Sequence, residues 1–310
     1  MKILFMGTPD FAAGVLSAIY ASSHEVVAVV TQPDRPKGRS KTAVASPVKE
    51  FATERGIPVF QPERIKRPEE IEKLRAIDAD IYVVAAFGQI LSREILDIPR
   101  YGCINVHASL LPEYRGAAPI QWAIADGRDH TGVTIQQMNE GVDTGDIIAS
   151  SVVDITEDET GETLFDKLMT AGAALTVDTL GLIERNEVQR IPQDESKATY
   201  AKMIKKEMGL IDFSISSQRA QRLSRAFDPW PGVYTYLDGR MLKIKECSVY
   251  DGDLSGEAGT VISVTGDAIV IAFSEGALTV TSVQLEGKKQ MSVHDFLLGN
   301  PIKTGTRLGK

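Results

Sequence analysis

Short apolar runs alternate with helical segments through the first 110 residues, and this alternation limits the possible folds more than any other feature of the chain. The runs KILFM (2–6) and EVVAVV (25–30) have the length and composition of buried strands. Residues 10–20 and 46–56, which follow them, have the spacing of amphipathic helices. Alternating strands and helices of this kind predict a doubly wound, mostly parallel sheet.

The same alternation continues to residue 107 and then becomes less regular. The further elements that we predict are a helix at 67–77, a strand at 80–88, a helix at 92–98, the strand CINVH at 103–107, late edge strands at 133–138 and 146–155, and a long helix at 160–186. This part of the chain is therefore predicted to be an α/β domain of the Rossmann-like type.

After residue 206 the alternation of strands and helices gives way to mainly strand-like runs, which indicates a second domain. A short helix near 214–227 comes first, and Asp238–Gly239 is a typical hairpin turn between two strands. Short β-branched strands separated by glycine-bearing turns follow, which predict a small all-β barrel of the OB type. The polar, irregular segment before this second domain is typical of a linker. We therefore expect a first domain at 1–187, a linker at 188–205 and a C-terminal barrel at 206–310.

Composition excludes several classes of protein. The two cysteines, Cys103 and Cys247, stand far apart without metal-ligand spacing, which argues against a disulfide scaffold or a zinc site and favours a reducing cytoplasm. No 18 apolar residues run together, so we expect no membrane span. The N-terminus has too short an apolar run for a secretory signal, and the turn GTPDFAAG lacks the G-x-G-x-x-G pattern of dinucleotide binding.

Charge is distributed unevenly along the chain. The formal net charge is −8, and residues 206–310 are neutral, so the acidic excess lies before them. Bulk charge therefore argues against nucleic-acid binding, which needs clustered cations. Two local clusters exist nevertheless, and each is either an ordinary solvated surface or a set of phosphate contacts. The clusters are Arg35, Lys37, Arg39 and Lys41, and Lys202, Lys205 and Lys206.

Two polar residues interrupt the predicted strand at 103–107. Asn105 and His107 are two residues apart, so their side chains point to the same face. His107 ends the strand, and ligands of open parallel sheets bind outside the carboxyl ends of strands. The pair either satisfies its own hydrogen bonds within the protein or forms part of a site.

The residues around this pair resemble the signature of the folate-dependent formyltransferases. NVHASLLPEYRGAAP contains the Asn-x-His pair, the Ser-Leu-Leu-Pro loop and the Arg-Gly of that family, and EGVDTGDII contains its acidic turn with Asp143. The segments MGTPDFA, TQPDRPKGR and FDPWPGVYT are also similar to the family. The resemblance covers nearly the whole chain, and its most specific portion is the three-part site.

The resemblance implies transfer of a formyl group from 10-formyltetrahydrofolate to the amino group of methionyl-initiator tRNA, without metal or NAD. Asn105 would donate a hydrogen bond to the formyl oxygen, where negative charge develops. His107 would carry a proton between the two nitrogens, and Asp143 would orient it and favour its charged form.

The resemblance also suggests where both substrates bind. The apolar loop and the end of the preceding strand would line the folate pocket, because a pterin ring is flat and largely apolar. These residues are Ser109, Leu110, Leu111, Pro112, Phe87, Gly88 and Ile90. The two cationic clusters would contact tRNA phosphates. By family likeness the protein is expected to be a monomer.

Three other functions remain open. In the first, the formyl group goes to a small amine such as an amino sugar nucleotide or glycinamide ribotide. In the second, it goes to water, which would make the protein a hydrolase. In a non-enzymatic alternative, an RNA-binding barrel is fused to an inactive Rossmann-like domain. The cationic clusters and FDPWPGVYT favour tRNA as the acceptor.

Overall fold

The structure is a computed structural model and describes residues 1–36, 43–252 and 256–309. The chain divides into two compact units, and each contains more than one stretch of sequence. The first comprises 1–119, 130–154 and 165–201, and the second comprises 120–129, 155–164 and 202–310. The domain boundaries expected from the sequence stay a prediction.

Most strands and helices lie where the sequence indicated them. The strands up to residue 201 are β1 (Lys2–Gly7), β2 (Glu25–Val30), β3 (Arg35–Pro36), β4 (Ala43–Val44), β5 (Val59–Phe60), β6 (Ile81–Ala85), β7 (Cys103–His107), β8 (Arg115–Gly116), β9 (His130–Gln137), β10 (Ile147–Asp154) and β11 (Tyr200–Ala201). The helices are α1 (Asp10–Tyr20), α2 (Pro47–Glu54), α3 (Pro68–Arg75), α4 (Arg93–Leu96), α5 (Pro119–Ala125) and α6 (Gly161–Glu184). The short strands β3, β4, β5, β8 and β11 were not predicted.

One seven-stranded sheet forms the core of the first unit. Its order is β10-β9-β7-β6-β1-β2-β5. The strands from β7 to β5 are parallel to one another, whereas β9 runs antiparallel to both of its neighbours, β7 and β10. The central strands β1 and β6 are buried on both faces, which explains their continuous apolar sequences. The doubly wound, mostly parallel sheet is thus confirmed, with β10 at its edge.

The register of β7 decides which side chains meet at its polar end. Asn105 lies between Val84 of β6 and Gln136 of β9, and His107 pairs with Thr134 of β9. Gln136 and Thr134 of β9 therefore lie directly beside Asn105 and His107, respectively, in the sheet. The sheet therefore brings a group of polar side chains together within an apolar core.

The second unit contains an antiparallel sheet. Its elements are α7 (Ser217–Ala226), β12 (Val233–Leu237), β13 (Arg240–Val249), β14 (Val261–Val264), β15 (Ile269–Ala272), β16 (Ala277–Leu285), β17 (Met291–Ser292) and α8 (Val293–Gly299). The sheet order is β12-β13-β16-β15-β14, and β17 pairs with β16. The predicted hairpin at Asp238–Gly239 is confirmed, since both residues have positive φ angles of 49° and 74°. Helix α8 was not predicted.

The C-terminal segment from Thr306 to Gly309 forms hydrogen bonds with both edge strands of this antiparallel sheet, β14 and β12. Val261 at the start of β14 donates to the carbonyl oxygen of Thr306, and Gly309 donates to that of Tyr236 in β12. The segment therefore links the two edge strands, as a small barrel requires. Full closure of the barrel stays a prediction. Among the residues described, no helix is long and apolar enough to cross a membrane.

Two glycines of α6 provide a matched test of how this helix packs. A Cβ atom at Gly181 would approach only the side chain of Arg185, at 3.4 Å, whereas one at Gly172 would lie 3.3 Å from methyl groups of Val106 and Val133. Gly181→Ala should raise the free energy of unfolding by about 0.5–1 kcal/mol through helix propensity. Gly172→Ala gains the same propensity, but crowding in a packed core costs about 1–3 kcal/mol.

Denaturant unfolding followed by circular dichroism checks this difference. We expect Gly172→Ala to be less stable than Gly181→Ala. Equal stabilisation by the two changes would show that α6 does not press its Gly172 face against β7 and β9.

Candidate active site

Asn105, His107 and Asp143 lie together in the first unit. The Nδ2 atom of Asn105 is 3.4 Å from Oδ1 of Asp143, and Nδ1 of His107 is 3.5 Å from the same oxygen. His107 is buried and the other two are half-buried. The structure thus brings together the three side chains that the sequence singled out, and the carboxylate is the point where they meet.

Two further donors hold the Asp143 carboxylate. Gln136 of β9 donates from Nε2 to Oδ1 at 3.0 Å, and the backbone N–H of Gly116 donates to Oδ2 at 2.8 Å. Both contacts are accepted by the carboxylate oxygens, one on each oxygen. The position of Asp143 is therefore fixed from three strands, β7, β8 and β9.

The imidazole of His107 lies between two acceptors. Its Nε2 atom is 3.0 Å from the carbonyl oxygen of Tyr114, and its Nδ1 atom faces Asp143. A carbonyl oxygen only accepts, so Nε2 carries a proton in this contact. The Nε2 contact fixes the plane of the ring, and it leaves Nδ1 directed toward Asp143.

The turn between β9 and β10 carries Asp143 in an unusual backbone conformation. Asp143 has a φ of 55°, in the left-handed region that most residues avoid. A Cβ atom at Gly145 would lie 1.8 Å from the carbonyl oxygen of Gln137, so only glycine fits there. Conformations of this kind persist where surrounding contacts impose them, and they concentrate at functional sites.

Gln193 ties this turn to the segment before the second unit. Its Nε2 atom donates to the carbonyl oxygens of Asp143 at 2.9 Å and Gly145 at 2.7 Å. The amide therefore binds the backbone of the turn on both sides of Thr144. Residues 165–201, which include Gln193, belong to the first unit.

Arg115 in turn fixes Gln193. Only 1% of Arg115 is exposed, and its Nε and Nη2 atoms donate to Oε1 of Gln193 at 3.1 and 2.8 Å. The guanidinium also binds both carboxylate oxygens of Glu195, at 2.9 and 2.7 Å. These hydrogen bonds hold the pKa of the Glu195 carboxyl below its ordinary value. The arginine of the Arg-Gly pair is thus a support for the turn.

Sequence reasoning missed four polar residues of this network. Gln136 could have been found from the register, because it lies opposite Asn105. Gln193 and Glu195 gave no signal, since they lie in a polar, irregular stretch. Thr134 also looked like an ordinary strand residue.

Thr134 shapes the apolar loop that follows His107. Its hydroxyl donates to the carbonyl oxygen of Ser109 at 2.7 Å and accepts from the N–H of Leu111 at 3.1 Å. Ser109 is fully buried, and its own hydroxyl donates to Glu113 within the loop. Leu111 is buried, whereas Leu110 and Pro112 are half-buried. Ser109 therefore holds the loop together, and the leucines and proline form an apolar wall.

The other predicted wall lies just beyond β6. Phe87 is buried, and its carbonyl oxygen accepts from Thr8 at 3.2 Å and from Gln32 at 3.1 Å. Gly88 has a φ of 83°, and Ile90 is exposed. Because β6 and β7 are parallel neighbours, this segment leaves the sheet at the same end as His107. Folate contacts by these residues stay a prediction.

The cationic positions lie in two places. Arg35 is exposed on β3, which pairs with β4, so these two strands flank the basic run. Lys37, Arg39 and Lys41 lie outside the described residues. In the second unit, Lys202, Lys205 and Lys206 are exposed. No group of three His, Cys, Asp or Glu side chains within 1–36, 43–252 and 256–309 could hold a metal ion.

Comparison with known proteins covers both units. Residues 1–180 match the formyl transferase family, and residues 203–301 match the formyl transferase C-terminal domain family. The chain is 51% identical over 306 residues to the methionyl-tRNA formyltransferase of Agathobacter rectalis, covering 99% of each chain. It is 47% identical over 309 residues to that of Geotalea daltonii, covering 100% of this chain and 98% of the relative.

Solved structures share the fold at lower identity. An N-formyltransferase from Helicobacter canadensis in complex with folinic acid and dTDP-3-aminofucose aligns with a TM-score of 0.69 at 18% identity, covering 90% of this chain and 98% of that one. HypX from Aquifex aeolicus in complex with tetrahydrofolic acid aligns with a TM-score of 0.61 at 17% identity, covering 100% and 51%. At these identities the likeness supports the fold alone.

Gly145 offers a test of how the turn is held. Gly145→Ala should lower the free energy of unfolding by about 1–3 kcal/mol, because the new methyl group collides with a backbone carbonyl that cannot rotate away. Gly266→Ala is the control for the loss of a glycine, since a Cβ atom there would have no neighbour within 4 Å and its backbone is not left-handed.

Denaturant unfolding and a crystal structure of each variant check this. We expect the Asp143 carboxylate of Gly145→Ala to move away from the Gly116 N–H, and that of Gly266→Ala to stay in place. An unmoved carboxylate and unchanged stability in Gly145→Ala would contradict the role given to the glycine.

Proposed function

This chain belongs to the formyl transferase family, and from that premise we propose that it transfers the formyl group of 10-formyltetrahydrofolate to the α-amino group of methionyl-initiator tRNA. Relatives that are 43–51% identical along the whole chain and named methionyl-tRNA formyltransferase support this acceptor. The product, formylmethionyl-tRNA, serves the initiation of translation. We also propose a monomer that works in the cytoplasm, where translation takes place.

The single observation that carries the proposal is the convergence of Asn105 and His107 on Asp143. Attack of an amine on a formamide carbon places negative charge on the formyl oxygen and requires proton movement between two nitrogens. The three side chains offer an amide donor, an imidazole and a carboxylate, with the amide and the imidazole each within 3.5 Å of the same carboxylate oxygen. No two of them would supply all three.

Asn105 is proposed to stabilise the oxygen that becomes negative. One N–H of its amide donates to Asp143, which fixes the plane of the side chain. An amide nitrogen carries a second N–H, and it is therefore held in a set direction without further ordering. A donor that is oriented before the reaction costs no reorganisation as the charge develops.

His107 is proposed to carry the proton. Asp143 faces Nδ1 of the ring, and the Tyr114 carbonyl fixes the ring plane through Nε2. The imidazole is proposed to take a proton from the attacking amine at Nδ1, the nitrogen that is not bonded to Tyr114, and to return it to the leaving nitrogen. Asp143 acts in this scheme as a hydrogen-bond acceptor that holds the turn in place, from Gln136 and from the N–H of Gly116.

The surroundings suit a reduced folate chemically. When bound, 10-formyltetrahydrofolate supplies the formyl carbon at an amide-like nitrogen. Leu110, Leu111 and Pro112 offer an apolar wall for a flat ring, and the exposed side chain of Ile90 offers another apolar surface. Gly88, with its positive φ, leaves backbone groups accessible for the polar ring edge.

Phosphates of the tRNA are proposed to meet the cationic clusters. Arg35, Lys37, Arg39 and Lys41 on and beyond β3, and Lys202, Lys205 and Lys206 of the second unit, are the residues concerned. Such contacts hold the acceptor arm without reading its sequence. They also offset the overall negative charge of the chain, which opposes binding to RNA.

A transfer assay with three acceptors tests the function. With 10-formyltetrahydrofolate as donor, we expect formylation of methionyl-initiator tRNA, and neither formylation of an amino sugar nucleotide nor formate release into water at a comparable rate. The KM for tRNA should rise steeply with salt, whereas the KM for the folate should change little. Preferred use of the amino sugar would instead favour a small-amine acceptor, and formate release without an amine would indicate a hydrolase.

Asn105→Ala should lower kcat by about 10²–10³ without a matching rise in either KM, the scale of removing one preorganised donor to a developing oxyanion. Asn300→Ala is the control, because this asparagine amide also donates a single hydrogen bond within the protein, to Phe296, but lies in the second unit. Steady-state kinetics distinguish the outcomes. A variant with normal kcat and only a raised KM would give Asn105 a binding role.

A further inference from the structure

The loop before β12 exposes the ring of Trp230 to solvent. The proposed reaction does not use this ring. Trp230 is 57% exposed, although the next two residues, Pro231 and Gly232, are buried. A single exposed apolar side chain carries no conclusion by itself. What surrounds Trp230 therefore decides whether its ring has a partner.

The loop that carries Trp230 is held at both ends. The ring of Phe227 packs edge-on against Trp122 at 6.4 Å between centroids, and the N–H of Gly232 donates to the carbonyl oxygen of Phe227 at 2.8 Å. Lys243 of β13 donates to the carbonyl oxygen of Pro231 at 3.2 Å. The indole is thus exposed on a fixed backbone, which reduces the entropy cost of binding to it.

A lysine-rich segment packs directly beside this loop. A Cβ atom at Gly209 would lie 2.2 Å from the carbonyl oxygen of Gly232, so the backbones of the two segments touch. Gly209 ends the short 3₁₀ helix Lys206–Gly209, and Ile211 donates to Tyr234 at 2.8 Å. The exposed Lys205 and Lys206 are therefore neighbours of the tryptophan loop.

The charge of this surface is positive. Lys202, Lys205, Lys206 and Lys243 contribute cations around the loop, and Lys245 forms an ion pair with Asp228 at 3.1 Å. Glu207, which is exposed, is the acidic side chain on the lysine segment. A protein partner that buried Trp230 would have to desolvate these lysines, whereas a polyanion would neutralise them.

We propose that Trp230 is a stacking platform for an unpaired base of the tRNA substrate, with Lys205, Lys206 and Lys243 on the adjoining phosphates. This inference rests on the proposed function. Aromatic rings set among cations bind single-stranded nucleic acids, because every base has a face that stacks and every nucleotide carries a negative charge. The surface therefore binds tRNA through an unpaired nucleotide as well as through backbone charge.

Three variants separate stacking from general effects. Trp230→Leu removes the aromatic face and keeps an apolar side chain, whereas Trp230→Phe keeps a smaller face. Leu298→Ala is the control, because Leu298 is 80% exposed in the same unit. For uncharged initiator tRNA, we expect Trp230→Leu to bind about 5- to 150-fold more weakly, Trp230→Phe to lose less, and Leu298→Ala to match the wild type.

Tryptophan fluorescence gives a second readout of the same contact. The chain has two tryptophans, and the indole N–H of Trp122 is bonded to the carbonyl oxygen of Lys202. Binding of tRNA should quench the emission of the wild type but not that of Trp230→Phe. Heparin carries charge without bases, so it should bind the lysines without quenching.

The outcomes distinguish this proposal from the proposed function. Formylation of methionyl-tRNA together with unchanged tRNA affinity in Trp230→Leu and no quenching would overturn the stacking role and leave the function intact. Quenching and weaker binding in an enzyme that does not formylate tRNA would support the stacking surface and contradict the function. Equal quenching by heparin and tRNA would show that only charge is sensed.

Discussion

The carboxylate of Asp143 is the contact on which the rest of the site depends. Asn105, Gln136, Gly116 and His107 reach it from three strands, so its position fixes theirs. A charged group in a half-buried position is stable only where donors surround it. The same donors that make the charge tolerable therefore orient the amide and the imidazole for chemistry.

Arg115 extends this dependence beyond the site itself. A fully buried guanidinium needs acceptors, and Gln193 and Glu195 supply them from a segment nearly eighty residues later in the chain. Gln193 then reaches the turn of Asp143. The segment that contains Gln193 and Glu195 is thus bonded to the turn of Asp143, so the position of the carboxylate depends on that segment.

Periodicity and signature residues accounted for much of this molecule, but not for its supporting contacts. The central parallel strands could be predicted because burial on both faces makes them apolar throughout. The hairpin at Asp238–Gly239 could be predicted because its turn requires positive φ angles, which Asp and Gly adopt readily. Asn105 and His107 stood out as polar interruptions of a core strand. Gln193 and Glu195 did not, because a polar residue in an irregular segment looks the same whether it faces water or a buried arginine. Helix α8 was too short for its spacing to be distinctive.

The turn after β9 has a consequence for how this protein can vary. Met138 bonds to Cys103 at the start of β7, and Asp146 accepts from Gln137, yet between them Asp143 contacts Asn105 and His107 further along that strand. Connections between strands usually tolerate inserted or deleted residues. Here one residue more or fewer would displace the anion, so the number of residues in this connection should be as invariant across evolution as the acidic side chain that it carries.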